Sequence, residues 1–551
     1  MGAQGVQASF LESLREAVGP RWVRTSAPDK LAYGRDCWPR GIILMRGGRL
    51  HLHEPDCVVQ PGTEAEVAAV ITLARAAGVP VVPYGAGSGV CGGALADRGG
   101  VVIDVKRLNA IEAVDAEAMW MRVGAGAIGQ VVQTELERRG LTLGHFPSSL
   151  YCSSVGGYLA ARSAGQYSSR FGKIEDMVQT LRLVTGTGEI LDTAPGLGAD
   201  AWGGGLDMTQ LAVGSEGTLG VITAGTLRIN QAPQVRIYRG WKCPTVEAGV
   251  EIMRRLMQAG LRPTVMRLYD EFDTLIAGGR KAKPKGHGAP QADEAVPGGL
   301  ASGLMRVARR ALGQDVELLT SSAPGGVGER VRRAGLGLIR RAVGQPLLLN
   351  QLTEVLPGGC MLVLGFEGQE AATRREAAAG FEIAGRLAAD LGPGPGEHWL
   401  RNRFKVSYKQ SPMFDAGAFV DTMEVATTWS NLMRLYYNVK KAVAGEAFIM
   451  AHFSHGYPEG ASIYFTFAGF GHGVDGTLEA YERLWSVAQQ AVVASGASPA
   501  HHHGVGISKA GRTGDDHIGG RVLFEGLKAA FDPDGIMNPG KVWSGQGGGA
   551  S

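Results

Sequence analysis

The opening residues show no basic n-region and no apolar run, so no secretory leader is expected, and no window nears the roughly eighteen apolar residues that a membrane-spanning helix needs. Its opening, "MGAQGVQASFLESLREAVG", carries Val6 where a myristoylation signal wants Ser or Thr. Cysteine is sparse: six residues, at 37, 57, 91, 152, 243 and 360, with no C-x-x-C pair. That spacing excludes a zinc ribbon and a disulfide framework, and leaves reduced thiols in a cytoplasmic protein as the expectation. Charge of one sign is lacking too. A formal net charge of +3 is too small to argue for nucleic acid. Glycine is abundant at 84 residues but has no period, so collagen-like and low-complexity readings fail.

What remains is a globular chain of 551 residues with 44% hydrophobic content, long enough for two or three domains. Residues 1–54 form a leader with a short amphipathic helix at 9–18. From residue 55 "CVVQPGTEAEVAAVITLARAAGVPVVPYGAG" predicts strand, turn, helix and strand. Thr63 is the expected N-cap and Glu66 its capping-box partner, with Val67, Val70, Ile71 and Leu73 on the buried face. "VGSEGTLGVITAGTLRI" predicts a strand–turn–strand unit ending near Ile229. A first domain at 55–234 therefore mixes a sheet with helices. Residues 235–499 follow a different rhythm of strands and long helices, which predicts a separate α+β domain. Within it, 278–350 is a flexible basic insert: "GRKAKPKGHGAPQADEAVPGG" is a loop, and "ERVRRAGLGLIRRAV" is either a solvated helix face or a contact for lipid headgroups. Residues 500–551 form a closing segment.

"VPVVPYGAGSGVCGG" is the first stretch with chemistry. Its glycines permit positive φ and close backbone approach, and successive amides in such a turn form a nest for a pyrophosphate. Gly87, Gly89 and Gly92 match G-x-G-x-x-G, yet only about eight residues separate Gly93 from the strand at Val101. A crossover helix does not fit, so a Rossmann unit is excluded. "PSSLYCSSVGGYLAARSAGQYSSRFGKIEDMV" places small residues and two glycines before a short helix, and "GSEGTLG" is a tight polar turn between strands.

With "PGTEAEV", "PYGAGSGVCGG", "SSVGGYLAARSAGQYSSRFGKIEDMV", "GSEGTLGVIT" and "FDPDGIMNPGK" on the page, the chain resembles the vanillyl-alcohol oxidase type of FAD-binding superfamily from residue 61 to 541. The resemblance implies an α+β architecture: a two-subdomain FAD-binding domain, plus an α+β cap domain over the substrate site. It implies non-covalent FAD, since the loop offers Cys91 but no histidine. It places the cofactor against Pro83, Tyr84, Gly85, Ala86, Gly87, Ser88, Gly89 and Val90. A second group is Pro147, Ser148, Ser149, Ser153, Ser154, Gly156, Gly157, Ala164 and Gly165; a third is Glu216, Gly220, Val221 and Ile222.

Within the superfamily, "HHHGVG", "SIYFTF", "TLGHFPSSL", "RLYDEFD" and "DTMEVATTW" are most similar to alkyl-dihydroxyacetonephosphate synthase and its bacterial relatives. That resemblance implies an ether-forming exchange on an acylated ketone phosphate, with flavin N5 as covalent handle. It implies roles for Tyr464, His501, His502, His503 and Arg267. A further arginine of the family falls at Gln410, and a neutral amide supplies neither fixed charge nor a bidentate grip. Lys409 and Arg403 are the nearby cations. Gln410 and the "NPGK" close favour the alternative, a hydride transfer from an alcohol or 2-hydroxy acid to FAD. The partners expected are a small-molecule or lipid-like substrate, with no nucleic acid; a peripheral membrane contact and a homodimer stay open.

Three histidines in "SPAHHHGVGISKAG" raise the question of metal. If they lie on a strand, neighbours point to opposite faces and cannot share one ion, so no metal is expected. As imidazoles beside a flavin they are proton carriers, His502 and His503 before His501; holding local hydrogen bonds is the bland alternative. Tyr464 is an acid/base phenol or a core aromatic. His452 and His455 in "AHFSHGYPEG" are loose candidates for the same cavity.

Overall fold

The computed structural model describes residues 6–49, 51–194, 206–277, 344–354, 359–405, 413–414, 417–517 and 519–543. Gln410 and residues 278–343, with the expected basic helix, lie outside the described residues. Among the described residues, no helix is long and apolar enough to cross a membrane.

The first sheet has four strands in the order Val23–Arg24, Cys57–Val59, Val101–Asp104 and Val81–Tyr84. The last three run parallel, with Val58 and Val82 both registered on Val102. All three strands are rich in buried valine, as expected of a sheet covered on both faces. The helix Glu64–Ala76 crosses between the first two of them in sequence. Thr63 caps it by accepting from Glu66 N at 3.1 Å, while the Glu66 carboxylate takes the amide of Gly62 at 2.6 Å rather than that of Thr63. The helix buries Val67, Val70, Ile71 and Ala74; Leu73 is only partly buried. Val81–Tyr84 and Val101–Asp104 are parallel neighbours joined by the glycine loop itself, without a helix, which is the geometry that excludes a Rossmann unit.

A second sheet, antiparallel throughout, runs Ile111–Asp115, Trp120–Gly124, Gly220–Arg228, Val178–Thr185 and Ile190–Asp192. Its inner face and the helix Glu64–Ala76 share one core, with Val70, Val123, Leu183 and Val221 among its members. Here one expectation fails: the polar turn "GSEGTLG" follows the short helix Met208–Ala212, not a strand. Asp207 caps that helix by accepting from Gln210 N at 3.1 Å.

The third sheet has seven antiparallel strands: Ala389–Asp390, Val235–Cys243, Cys360–Gly368, Val265–Tyr269, Phe448–Gly456, Gly460–Phe470 and Ala418–Thr428. Helices Val246–Gln258, Glu370–Gly385, Trp429–Val443 and Gly473–Ala494 contribute to the apolar core built on one face of it. The opposite face turns towards the first two sheets. Phe146, Leu150 and Tyr167 of the N-terminal half meet Tyr238, Tyr269, Val363 and Trp399 in an aromatic seam. The closing segment then returns. Met537 bridges Val81 in parallel, and the Asn538 amide donates to the carbonyls of Gly93 and Glu216 at 2.9 and 2.6 Å.

Candidate active site and cofactor cavity

Between the sheets lies a cavity of about 1660 Å³. A pocket for a drug-sized ligand measures roughly 300–1,000 Å³, so this volume has room for more than one such ligand. One wall is glycine. Gly87 has φ +65°, and a Cβ there would overlap the Tyr84 hydroxyl; a Cβ on Gly85 would overlap Ser154 Oγ. Gly89 differs: its nearest neighbour to an added Cβ is Asp36 Oδ2 at 3.9 Å. The loop is held from behind, since Cys37 N donates to the Gly89 carbonyl at 2.8 Å and Gly92 N to Asp36 at 3.0 Å. Lys106 Nζ reaches the Gly85 carbonyl at 3.2 Å and Asp104 at 2.9 Å.

Pro83 through Val90 all line the cavity, as do Pro147, Ser148, Ser149, Ser153, Ser154, Gly156, Gly157 and Ala164. Gly165 does not; it packs behind the wall, where a Cβ would overlap Phe146 N. Gly156 and Gly157 lie inside the first turn of the helix Val155–Ala161 rather than before it, and Ser154 caps that turn by accepting from Gly157 N at 3.3 Å. Glu216, Gly220, Val221 and Ile222 line the cavity too. The Glu216 carboxylate is spoken for: it accepts from Val505 N at 2.5 Å and Gly506 N at 2.9 Å, and burial pushes it up to about 7.

On the opposite wall the register of the third sheet sets the chemistry. Antiparallel pairs put Glu424, Tyr464, His452 and Tyr269 on one rung, so their side chains share a face. Tyr464 and His452 stack at 4.7 Å with planes 15° apart. The triplet does not form a strand. His501–His503 is a chain of bends, and its three rings stand side by side, with centroids 5.0 and 4.6 Å apart in turn. The alternation that argued against a shared ion is therefore absent. Among the described residues, even so, no group of three or more His, Cys, Asp or Glu is placed to hold a metal.

Glu424 fixes this turn. One carboxylate oxygen accepts from His501 N at 2.9 Å, the other from His503 N at 2.8 Å and from Lys509 Nζ at 2.8 Å. Burial pushes the carboxyl upward, but Lys509 and His503 outweigh it and bring it down to about 2. Lys173 Nζ adds a grip on the His501 carbonyl at 3.1 Å.

Held in this way, His502 points Nε2 at the Tyr464 hydroxyl and Nδ1 at His501 Nδ1, 2.8 Å away. Tyr464 also faces His455 Nε2 at 3.4 Å, and His455 Nδ1 meets Ser168 Oγ at 2.6 Å. Burial pushes the Tyr464 phenol far above the usual range. It pushes His455 down to about 3, His503 down to about 4, and His501 and His502 well below the ordinary imidazole value. The imidazoles are neutral at pH 7, so each carries one proton and one lone pair. With two neutral rings sharing the Nδ1–Nδ1 contact, either His502 accepts from Tyr464 and donates to His501, or the reverse holds. That is a proton relay ending on a phenol.

Arg267 Nη2 donates to His452 Nε2 at 2.7 Å. An arginine cannot accept, so the His452 proton sits on Nδ1, which faces Asp273 Oδ2 at 3.2 Å. Burial pushes Asp273 up to about 7, with Arg267 pulling the other way. Tyr464, His502, His503 and Arg267 thus line the cavity, whereas His501 stands behind His502. The sequence reading missed Glu424, Lys509, Asp273 and Ser168. Their signal is cross-strand register and long-range contact, which no local pattern carries.

Residues 55–194 match the model of an FAD binding domain, and residues 232–324 and 329–542 match that of the C-terminal domain of FAD linked oxidases. Alkyldihydroxyacetonephosphate synthase of Dictyostelium discoideum is 27% identical over 515 residues, which covers 91% of this chain and 75% of that protein. An FAD-linked oxidoreductase of Escherichia coli K12 is 26% identical over 512 residues, 89% of each chain. A solved structure of an alkyldihydroxyacetonephosphate synthase superposes with a TM-score of 0.72 at 24% identity, covering 98% of this chain and 87% of that one. FAD is the cofactor these domains specify, and the glycine wall fits it: at Gly85 and Gly87 a Cβ would overlap a neighbour, so backbone rather than side chain faces the cavity there.

Proposed function

The chain belongs to the FAD linked oxidases, and from that premise we propose that it catalyses an exchange like that of alkyldihydroxyacetonephosphate synthase on an acylated ketone phosphate. The observation that carries the reading is the contact between the Tyr464 hydroxyl and His502 Nε2, inside the cavity that also holds the glycine wall. In this assignment 55–234 is the FAD-binding domain, 235–499 the cap and 500–551 the segment that brings the histidines back; 1–54 is a leader. The amides of Gly85–Gly89 would hold the pyrophosphate of a non-covalently bound FAD.

When bound, FAD supplies an electrophilic centre, a handle for the ketone carbon in this reading and a hydride acceptor in the alternative one. The protein's own part is proton movement. Tyr464 delivers or takes a proton at its hydroxyl, and His502 Nε2 is the partner that receives or returns it. His501 Nδ1 takes up the second position of the relay. Met413, Val420, Phe448, Met450 and Ala468 line the same cavity and suit an acyl or alkyl chain, worth about 0.8 kcal/mol for each buried CH₂. A cytoplasmic enzyme, a peripheral membrane contact and a homodimer belong to the same proposal.

The test is an incubation of holoenzyme with acylated dihydroxyacetone phosphate and a fatty alcohol. Ether product with no electron acceptor consumed is the expected result. The second reading, oxidation of an alcohol or 2-hydroxy acid, is favoured by Gln410; anaerobic bleaching of the flavin by such a substrate, without ether formation, would replace the first reading by the second.

A further inference from the structure

We propose that Arg403 is the anion clamp of the substrate cavity, gripping a phosphate or carboxylate oxygen of the substrate. The inference rests on the cavity described above and deepens the proposed function, because it names the group by which the substrate is recognised.

Arg403 lines the cavity just beyond the helix Gly394–Asn402. Its guanidinium stands over three aromatic rings, with its carbon 4.9 Å from the centroid of Phe146, 4.8 Å from Tyr167 and 4.7 Å from Phe404. Two of those rings belong to the seam between the halves of the molecule. Ring faces hold a cation in place without neutralising it.

Its polar partner is neutral as well. Nη1 donates to the Tyr167 hydroxyl. That hydroxyl passes its own proton to Glu367 at 2.8 Å, and Glu367 is matched by Arg236 at 3.3 Å. Among the described residues, no carboxylate pairs with Arg403. The charge is therefore uncompensated, and the planar fork keeps donors to spare for a bidentate anion.

The other cations on the cavity wall do not share this state. Arg267 is tied to His452 and has Asp273 behind it. Arg35, Lys242 and Arg401 are exposed, where water and salt screen them. Arg403 is partly buried.

The experiment titrates FAD-loaded wild type, Arg403→Gln and Arg403→Lys by flavin difference absorbance. The probes are dihydroxyacetone phosphate, glycolate and uncharged dihydroxyacetone. The expected result is that one charged probe binds wild type and loses about 30-fold or more in Arg403→Gln, the scale of a lost charge-assisted pair. Arg403→Lys, which keeps the charge without the fork, loses about tenfold. FAD content, the flavin spectrum and dihydroxyacetone binding stay unchanged. Which charged probe responds distinguishes a phosphate from a carboxylate.

The proposal is overturned if neither charged probe binds wild type, or if Arg403→Gln binds them as wild type does. It is overturned equally if charged and uncharged probes weaken together, the sign of a merely structural seam residue, or if FAD is lost. Acyl exchange is assayed in parallel. Absence of exchange with Arg403-dependent binding intact removes the function proposed above and leaves the clamp standing.

Discussion

The Tyr464 hydroxyl meets Nε2 of His502, 38 positions further along the chain, although one sits mid-strand and the other in a turn of bends. With neutral imidazoles of His502 and His455 as its neighbours, this hydroxyl has histidine partners with which a proton can be exchanged.

Removing that proton isolates the chemistry from the fold. Tyr464→Phe keeps the ring that stacks on His452 and deletes only the hydroxyl. Turnover should fall by about 10²–10⁴-fold, the usual share of a positioned acid/base. FAD content and thermal midpoint should match wild type. An active Tyr464→Phe enzyme would remove the relay from the mechanism.

Neutral histidines set the pH profile. His503 is held down to about 4 and His455 to about 3, far below an ordinary imidazole. Activity that depends on their lone pairs should persist below pH 6.5 and fall only as pH approaches about 4. A rate that halves near pH 6.5 would show an exposed histidine in control instead.

Glu424 anchors the turn, and its pH signature has a sign. Its folded value of about 2 lies below the ordinary 4.5, so its contribution to stability is complete above pH 4.5 and is lost as pH falls towards 2. Glu424→Gln leaves Lys509 buried without its charge partner, which should cost roughly 3–5 kcal/mol at pH 7. Urea midpoints measured at pH 7 and pH 3 check both parts: the gap between wild type and variant should shrink at the lower pH.

Two glycines of one loop should behave differently. Gly87 has positive φ and no room for a Cβ, so Gly87→Ala should impair folding and FAD content together. Gly89 has backbone freedom and open space, so Gly89→Ala should fold normally. It should bind FAD about tenfold more weakly, because the added methyl stands where the cofactor approaches; cofactor titration of the apoprotein reads this directly. Equal FAD affinity would move the pyrophosphate away from Gly89.

Local patterns made much of the first domain legible. Thr63 before an apolar period of 3.6, valine runs between turns, and a loop too short for a crossover helix are all decided by neighbours in sequence. Where neighbours mislead, the structure differs. The stretch before Gly214 is a helix capped by Asp207, and Glu66 takes the amide of Gly62, one residue before the N-cap, rather than that of Thr63.

The sequence by itself determined the FAD-binding family, through glycine and small-residue motifs that local spacing displays, and showed that a tyrosine and a histidine triplet are present. Only the tertiary structure decided how they work. Placing Glu424, Tyr464 and His452 on one rung is a matter of strand register, and clamping His501 and His503 to Glu424 is a contact of 77 and 79 residues' separation. Burial then sets each group's charge. A residue's depth and its cross-strand neighbour are properties of the packed molecule, and no window of the sequence contains them.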